Sequence, residues 1–283
     1  MRKILFIAAT HGNERDSVKV MRQLEKELPK EKYGYNWIIG NEKAFAANAR
    51  FIEQDLNRSA PGDINSPVYE VRRAAELIEY GKNFDVVIDL HGTKTDSGIV
   101  TIIPYPTEEN IRLAKSAGLS RNVVWYSEKS KIAGPLAQHM PVPAIEFECG
   151  PKGTKRVFDL TYAAVRRFIE ANRNGQEVCG DKNVEFYNVY GKLYGEHDPA
   201  LRDFVLTEKG GESFYPFLSI EYRGIACYKM EKTENDKMSI SAKGCLFRCY
   251  TQQTSSLQTN KLWNSQKQLA TRGKRAVSNP NGI

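Results

Sequence analysis

The sequence predicts an α/β fold, with a mostly parallel or mixed sheet flanked by helices and a smaller β-rich domain at the C-terminal side. Two patterns predict it. Over residues 1–175, apolar strand-like runs alternate with stretches of helical periodicity, and several runs are apolar almost throughout, as when helices cover both faces of a sheet. After residue 175, β-prone segments are separated by turn-like glycines. We therefore predict one domain over 1–175 and a second over 176–248.

Short apolar runs bounded by polar residues predict the strands of the first domain. They are Lys3–Thr10, Asn36–Ile39, Asp85–Leu90, Ile99–Ile103, Val123–Tyr126 and Ala144–Glu148. Apolar residues spaced three and four apart predict its helices, and Ser66 is a candidate N-cap for the second of them. These helices are Ser17–Leu28, Pro67–Lys82, Asn110–Ala117 and Arg156–Asn172.

The second domain contains β-prone segments with turn-like sequences between some of them. The segments are Asn183–Leu193, Asp203–Leu206, Phe217–Tyr222 and Ile225–Met230. The turn-like sequences are Lys209-Gly210-Gly211 and Arg223-Gly224. Segment 249–283 is rich in Gln, Ser, Thr and Asn, and we expect it to have little fixed structure.

The formal net charge of +7 is concentrated in this tail, because residues 249–283 hold five basic side chains and no acidic one, which leaves +2 for the rest. We expect a solvated tail, and the alternative is a tail that binds nucleic acid or anionic lipid. No apolar run reaches the roughly 20 residues that span a bilayer. Five cysteines without a CxxC pair favour a reducing compartment, so we expect the protein in the cytoplasm.

Two of the four histidines follow strand-like runs. His11 comes after the first run, with Glu14 three residues on, and His91 comes after Asp85–Leu90. Two histidines and one glutamate leave a fourth coordination position open, which is typical of a catalytic rather than a structural zinc. Taken singly, each histidine could instead be a structural residue. Because open α/β sheets bind ligands at the carboxyl ends of their strands, the placement of His11, His91 and Glu148 together predicts a metallohydrolase.

Other candidate residues accompany these ligands. Glu148 lies in an apolar run, where partial burial would raise its pKa toward that of a general base, and an ion pair or a cap is its alternative role. A polar cluster between the two ligand segments has arginine and amide donors that suit a carboxylate, and a salt-bridged surface loop is its alternative. The cluster consists of Arg50, Asp55, Leu56, Asn57 and Arg58.

Four motifs occur in the order found in the succinylglutamate desuccinylase/aspartoacylase family, and residues 1–248 resemble that family. The motifs are His11-Gly12-Asn13-Glu14, Asp55-Leu56-Asn57-Arg58, Asp89-Leu90-His91-Gly92-Thr93 and Glu148-Cys149-Gly150-Pro151. The family is similar to zinc carboxypeptidases. The resemblance therefore implies a zinc carboxypeptidase-like fold, a catalytic domain over 1–175, a β-rich domain over 176–248 that covers the active site, and one zinc ion per chain.

The resemblance also implies a role for each candidate residue. The implied zinc ligands are His11, Glu14 and His91. Glu148 would activate the attacking water and pass its proton to the leaving amine, and Arg50 would polarise the scissile carbonyl. Asn57 and Arg58 would bind the substrate carboxylate. Asp55 would brace a metal ligand or an arginine from outside the coordination shell.

The chain departs from aspartoacylase at two positions that bear on specificity. An arginine that precedes the catalytic glutamate in aspartoacylase has Gln138-His139 in its place. The family's substrate-binding tyrosine falls at Cys227 or Tyr228, and we assign Tyr228 to substrate binding. These departures leave the acyl group and the amino acid open. His139 and His197 belong to no motif, and we expect them to be structural or surface residues.

The predicted activity is that of a zinc-dependent amidohydrolase, which releases a free amino acid and a carboxylate from an N-acyl amino acid such as N-acetylaspartate or N-succinylglutamate. The expected partner is this small molecule, without a membrane or a nucleic acid, and a homo-oligomer stays open. One alternative is a zinc carboxypeptidase acting on small peptides, and another is a non-catalytic binding module. Two histidines and one glutamate accept several divalent ions, so zinc rests on the resemblance.

Overall fold

In this computed structural model, residues 1–126, 134–175 and 184–233 are described, and they belong to one compact unit. The strands are β1 (Ile4–Ala8), β2 (Tyr35–Ile39), β3 (Val86–Gly92), β4 (Gly98–Ile103), β5 (Arg121–Val124), β6 (Ala144–Gly150), β7 (Glu185–Tyr194), β8 (Thr207–Lys209), β9 (Glu212–Phe217) and β10 (Ile225–Thr233). Within the described residues they form a single mixed sheet in the order β2-β1-β3-β6-β4-β5-β7-β10-β9-β8.

Helices lie between the strands of the first half of the chain. They are α1 (Arg15–Glu27), α2 (Lys30–Tyr33), α3 (Glu42–Ala47), α4 (Tyr69–Gly81), α5 (Glu108–Ser116) and α6 (Lys155–Arg173), with short 3-10 helices at Leu56–Arg58 and Leu136–His139. None of the helices in the described parts of the chain is long and apolar enough to cross a membrane.

The sheet is buried on both faces in the first half of the chain. On one face Phe6 of β1 and Phe147 of β6 pack in one cluster with Phe168 of α6. On the other face Leu5 of β1 packs in a second cluster with Leu77 of α4. Every residue of β1 is therefore buried, which explains why this strand is an unbroken apolar run.

Strand pairing brings the candidate site residues to one edge of the sheet. β1, β3 and β6 are neighbours and run parallel, so their carboxyl ends meet at the same edge. His91 of β3 lies directly opposite Glu148 of β6 in the register, and Asp89 lies opposite Glu146. His11 follows β1 by three residues. The predicted α/β architecture is confirmed, and the candidate site residues lie at one edge of the sheet.

The elements of the first half agree with the sequence prediction apart from their ends. The helix α4 begins at Tyr69 rather than Pro67, and Ser66 accepts a hydrogen bond from the Val68 N–H at 3.2 Å instead of capping the helix. The short helices α2 and α3 were not predicted. Asn41 caps α3 by accepting the Ala44 N–H at 3.0 Å.

Two predicted β segments of the second half are wrong. Residues 203–206 form a turn and a loop, and residues 218–224 form turns and bends after β9 ends at Phe217. Asp203 accepts backbone N–H groups at the start of the second turn, and Leu218 there has a left-handed φ of 54° that no strand accepts. The strand Glu212–Phe217 takes the place of the predicted one.

The β-rich segment after residue 183 extends the same sheet, since β5 pairs with β7 in parallel. β10 then pairs with β7 and β9 in antiparallel fashion. The domain boundary at residue 175 stays a prediction, because the pairing of β5 with β7 continues one sheet across it. The predicted tail, 249–283, lies outside the described residues.

Candidate metal centre and active site

A tight turn places the first two candidate ligands. After β1 the chain bends at Ala9, which has a φ of 54°, and α1 starts directly after Glu14. A Cβ on Gly12 would lie 2.1 Å from the backbone carbon of Ala44, so only glycine permits this close approach to α3. The Gly12 N–H also donates to the Arg50 carbonyl oxygen at 3.1 Å, which fixes the Arg50 backbone beside the turn.

His11, Glu14 and His91 converge into a buried cluster. His11 Nδ1 lies 2.8 Å from Glu14 Oε1, and His91 Nδ1 lies 3.2 Å from Glu14 Oε2. One ligand atom from each residue falls within 4.8 Å of the others, so the three could hold one metal ion. The Gly92 N–H donates to Glu14 Oε2 at 3.0 Å and orients the carboxylate.

Carboxylates face the outer nitrogens of both histidines. His11 Nε2 lies 3.0 Å from Asp55 Oδ1, and His91 Nε2 lies 3.1 Å from Asp89 Oδ2 without making a hydrogen bond. Thr10 Oγ1 donates to the other Asp89 oxygen at 2.7 Å. A carboxylate behind a histidine fixes the ring and leaves the inner nitrogen for a metal, so the residues fit a metal centre.

Mutual charge compensation shifts the pKa values of this cluster. Burial works against each charged group, but the histidine partners outweigh it and hold the pKa of Glu14 well below its usual range. Glu14 and Asp55 likewise raise the pKa of His11 against the effect of burial. Asp89 and Glu14 raise the pKa of His91. A divalent cation bound here would replace the protons that the two rings take up.

Glu148 lies across the strand pair from His91 and is partly exposed. Burial, followed by the charges of Glu14, Glu146 and Glu221, raises the pKa of Glu148 well above its ordinary value, although His91 acts in the opposite direction. A carboxylate with a raised pKa at the open side of a metal centre has the character of a general base.

Asp55 joins His11 to Arg50. Its Oδ2 accepts from Arg50 Nε at 3.2 Å and Nη2 at 3.0 Å, while its Oδ1 faces His11. Burial would raise the pKa of Asp55, but the hydrogen bond and charge of His11 and the charge of Arg50 lower it. Arg50 Nη1 lies 3.9 Å from Glu14 Oε1, so the guanidinium sits beside the metal cluster.

Asn57 and Arg58 face different surroundings. Asn57 is buried, and its Oδ1 accepts the Leu136 N–H at 2.7 Å. Burial raises the pKa of Glu146, and a hydrogen bond with Asn57 acts in the opposite direction. Arg58 is exposed, and its Nη1 donates to the Asn57 carbonyl at 2.6 Å. In the described parts of the chain Arg58 makes no ion pair, so its charge is available for an anion, whereas the Asn57 amide is held by the protein.

Tyr228 is buried in the sheet, where it packs against other aromatic rings. Its ring lies 4.4 Å from that of Trp125 and 5.8 Å from that of Tyr222. Tyr222 interacts electrostatically with both Arg50 and Glu148, and burial raises its pKa. The sequence analysis did not single out Tyr222, because its predicted strand gave no indication of a turn. Cys227, the other candidate for the tyrosine position, is buried in a small apolar cluster.

Lys152 is a further site residue that sequence reasoning missed. Its Nζ lies 3.7 Å from Glu14 Oε1, its side chain is 18% exposed, and its backbone N–H donates to the Thr93 carbonyl at 2.7 Å. The motif that contains Glu148 ends one residue earlier, and no spacing rule connects Lys152 to Glu14. His139 ends a 3-10 helix and His197 is exposed, and neither belongs to the metal cluster.

These features define a class: a candidate metal centre of the hydrolase type at the carboxyl edge of a mixed sheet, with a carboxyl of raised pKa and an arginine beside it. Residues 1–171 match the family model of the succinylglutamate desuccinylase/aspartoacylase catalytic domain. The chain therefore belongs to the succinylglutamate desuccinylase/aspartoacylase family.

Among curated relatives, a probable aspartoacylase of Prochlorococcus marinus subsp. pastoris is 37% identical over 112 residues, which cover 37% of this chain and 38% of the relative. The N-acyl-aromatic-L-amino acid amidohydrolase (carboxylate-forming) of Mus musculus is 33% identical over 124 residues, or 38% of each protein. The match thus spans well under half of the length of these curated relatives.

Solved structures resemble the chain over more of its length. Murine aminoacylase 3 superposes with a TM-score of 0.65 at 22% identity, covering 82% of this chain and 95% of that one. The succinylglutamate desuccinylase from Chromobacterium violaceum gives a TM-score of 0.61 at 16% identity, covering 82% and 84%. At these identities the likeness shows the shared fold.

Proposed function

We propose that the protein is a zinc-dependent amidohydrolase that cleaves an N-acyl amino acid into a carboxylate and a free amino acid. The observation that carries the proposal is the buried set His11, Glu14 and His91 with Glu148 directly opposite His91 in the strand register. Membership of the family and the curated relatives' names support the same reaction class.

In this proposal His11, Glu14 and His91 hold one zinc ion. Zinc would supply Lewis-acid chemistry, polarising the amide carbonyl and lowering the pKa of water. Glu148 takes the proton of the attacking water and later gives a proton to the leaving amine. Arg50 is close enough to the cluster to stabilise the negative charge on the carbonyl oxygen.

The remaining site residues would bind the amino acid part of the substrate. Arg58, exposed and without an ion pair in the described residues, would bind the α-carboxylate of the substrate. Asn57 would support it by holding the Arg58 side chain, because the Arg58 guanidinium donates to the Asn57 carbonyl. Tyr228 would line the far side of the same pocket with Trp125. The acyl group stays open between acetyl and succinyl.

The test is amine release by the zinc-loaded protein. The panel contains N-acetyl-L-aspartate, N-succinyl-L-glutamate, N-acetyl-L-tyrosine and a tripeptide, because the curated relatives include both an aspartoacylase and an enzyme for aromatic substrates. We expect release from one or a few of the acylated amino acids, loss of release with a chelator, and recovery when zinc is returned.

The matched variants are His91→Ala, which removes a metal ligand, and His197→Ala, which removes an exposed histidine outside the site. We expect the first to lose zinc and activity and the second to keep both. Release of the C-terminal residue from the tripeptide alone would favour the carboxypeptidase alternative. A zinc-loaded protein that releases amine from no member of the panel would contradict the proposal.

A further inference from the structure

The turn over residues 218–224, which follows β9, meets the loop that follows the metal ligand His91. Glu221 in this turn accepts a hydrogen bond from Thr93 Oγ1 at 2.7 Å and another from the Lys94 N–H at 2.7 Å. Thr93 is two residues beyond His91 in the chain. The 218–224 turn is therefore fastened at its tip to the catalytic edge of the sheet.

The same turn presents groups to the site itself. Tyr222 interacts electrostatically with Arg58 and Glu148, and burial keeps its hydroxyl protonated by raising its pKa. The charge of Glu221 contributes to the raised pKa of Glu148. A shift of this turn would consequently change the surroundings of Glu148 and the position of Tyr222 relative to the exposed Arg58.

Asp203 holds the other end of the turn. Its Oδ2 accepts the Leu218 N–H at 2.9 Å, and its Oδ1 accepts the Ser219 N–H at 3.2 Å as well as the Ser219 hydroxyl. Leu218 has a φ of 54°, a left-handed conformation that is unfavourable for leucine without support from its surroundings. The carboxylate stabilises this conformation, since it engages the two residues at which the chain reverses.

Charge and burial make these hydrogen bonds strong. Burial raises the pKa of Asp203 to about 6, while the Ser219 and Leu218 donors and the charge of Arg121 act in the opposite direction. The carboxyl is therefore ionised at neutral pH and accepts charge-assisted hydrogen bonds. Leu218 and Ser219 are almost fully buried, so loss of the carboxylate would leave their N–H groups without an acceptor.

We infer that Asp203 is a positioning residue for the proposed amide hydrolysis: it fixes the 218–224 turn so that Glu221 and Tyr222 meet the catalytic edge. The expected kinetic effect rests on the proposed function, whereas the expected structural effect rests on the hydrogen bonds alone. Asp203 acts through the turn and need not touch the substrate.

The structural test is amide hydrogen exchange of the zinc-loaded, full-length protein at pH 7.5, measured on a peptide covering residues 218–224. Asp203→Ala removes all three acceptor contacts, and Asp203→Asn keeps one oxygen for Ser219. The matched control is Asp198→Ala, a partly exposed aspartate of the same segment that pairs with Lys209. We expect exchange about tenfold faster in Asp203→Ala, close to the parent rate in Asp198→Ala, and intermediate in Asp203→Asn.

The kinetic test uses the panel substrate that the parent protein cleaves fastest. We expect Asp203→Ala to raise KM several-fold with a smaller change in kcat and an unchanged zinc content, and Asp203→Asn to recover part of the parent KM. A loss of stability alone would reduce the active fraction, which lowers the apparent kcat and leaves KM unchanged.

The two proposals fail in different ways. Parent-like exchange and KM in Asp203→Ala would overturn the role of Asp203, whatever the substrate. Faster exchange with an unchanged KM would also overturn it, because the turn would then be uncoupled from substrate binding, and a lowered kcat alone is the result that a loss of stability gives. A parent protein without activity contradicts the proposed function, and the exchange measurement still decides whether Asp203 holds the turn.

Discussion

The pKa of Glu148 depends on its burial and on charged neighbours in the sheet. His91 is directly across from it, and Glu146 on its own strand is a second buried carboxyl whose pKa burial raises. Burial is the largest cause of the raised pKa of Glu148, and the charges of Glu14 and Glu146 add to it against the effect of His91, so this pKa moves toward the range of a general base. Its partial exposure leaves room for the attacking water.

Replacing Glu148 by glutamine should remove the base and leave the metal ligands intact. We expect Glu148→Gln to retain its zinc, measured by elemental analysis, while kcat falls by roughly 10²–10⁴. The matched control is Glu208→Gln, an exposed carboxylate on β8, which should keep the parent kcat. Turnover at the parent rate in Glu148→Gln would remove the base assignment.

Lys152 places a positive charge where the metal must bind. Its Nζ is 3.7 Å from Glu14 Oε1 and its side chain is only 18% exposed, so its charge is weakly screened. We expect Lys152→Met to bind zinc more tightly, by about tenfold, because removal of a nearby cation favours another cation at Glu14. A chelator-competition titration measures the dissociation constant.

The control for this prediction is Lys155→Met, which removes an exposed lysine paired with Asp159 near the start of α6. It should leave the zinc affinity unchanged. Equal or weaker affinity in Lys152→Met would show that the lysine supports the carboxylate of Glu14 rather than competing with the metal.

At the scale of elements, the catalytic edge could be predicted from the sequence because it depends on local patterns. The apolar runs of β1, β3 and β6 locate strands by burial, and the polar residues after them fall at the carboxyl edge by the rule for parallel sheets. The sequence therefore predicts that His11, His91 and Glu148 lie at the same edge. Gly12 belongs to the same local motif as His11, and the turn requires a glycine there because the backbone approaches α3 closely.

The 218–224 turn could not be predicted in this way, because its conformation depends on a residue about fifteen positions earlier in the chain. Phe217, Leu218 and Ile220 have the composition of a strand, yet Asp203 and the left-handed φ of Leu218 end the strand at Phe217. Tyr222 was missed for the same reason. By contrast, α3 has a local signal in the sequence, because Asn41 is a favourable N-cap residue that predicts the start of a helix.

At the scale of the whole molecule, the site concentrates acidic side chains, and protons taken up by His11 and His91 help to balance their charge. The buried or partly buried acids around it are Glu14, Asp55, Asp89, Glu146, Glu148 and Glu221. Arg50 and Lys152 are the cations within 4 Å of Glu14 in the described residues. A divalent cation would replace the protons on the two histidines and bind only the folded arrangement of these ligands, so metal binding and folding stability should be linked.

The proposed metal also joins separate elements. His11 and Glu14 belong to the turn between β1 and α1, and His91 belongs to β3, so a bound ion would cross-link two neighbouring strands at one edge. A ligand at 100 times its dissociation constant stabilises the folded state by about 2.7 kcal/mol, which corresponds to a Tm increase of about 5–10 °C for a chain of this size.

We therefore expect the metal-free protein to melt about 5–10 °C below the zinc-loaded protein, measured by calorimetry at equal protein concentration. His91→Ala should show no zinc-dependent shift, because it removes the ligand that β3 contributes, whereas the exposed His197→Ala should keep the parent shift. A shift that persists in His91→Ala would mean that the stabilising metal binds elsewhere in the chain. An unchanged Tm in the parent, with zinc bound to the folded protein, would mean that the unfolded chain binds zinc as tightly as the folded one.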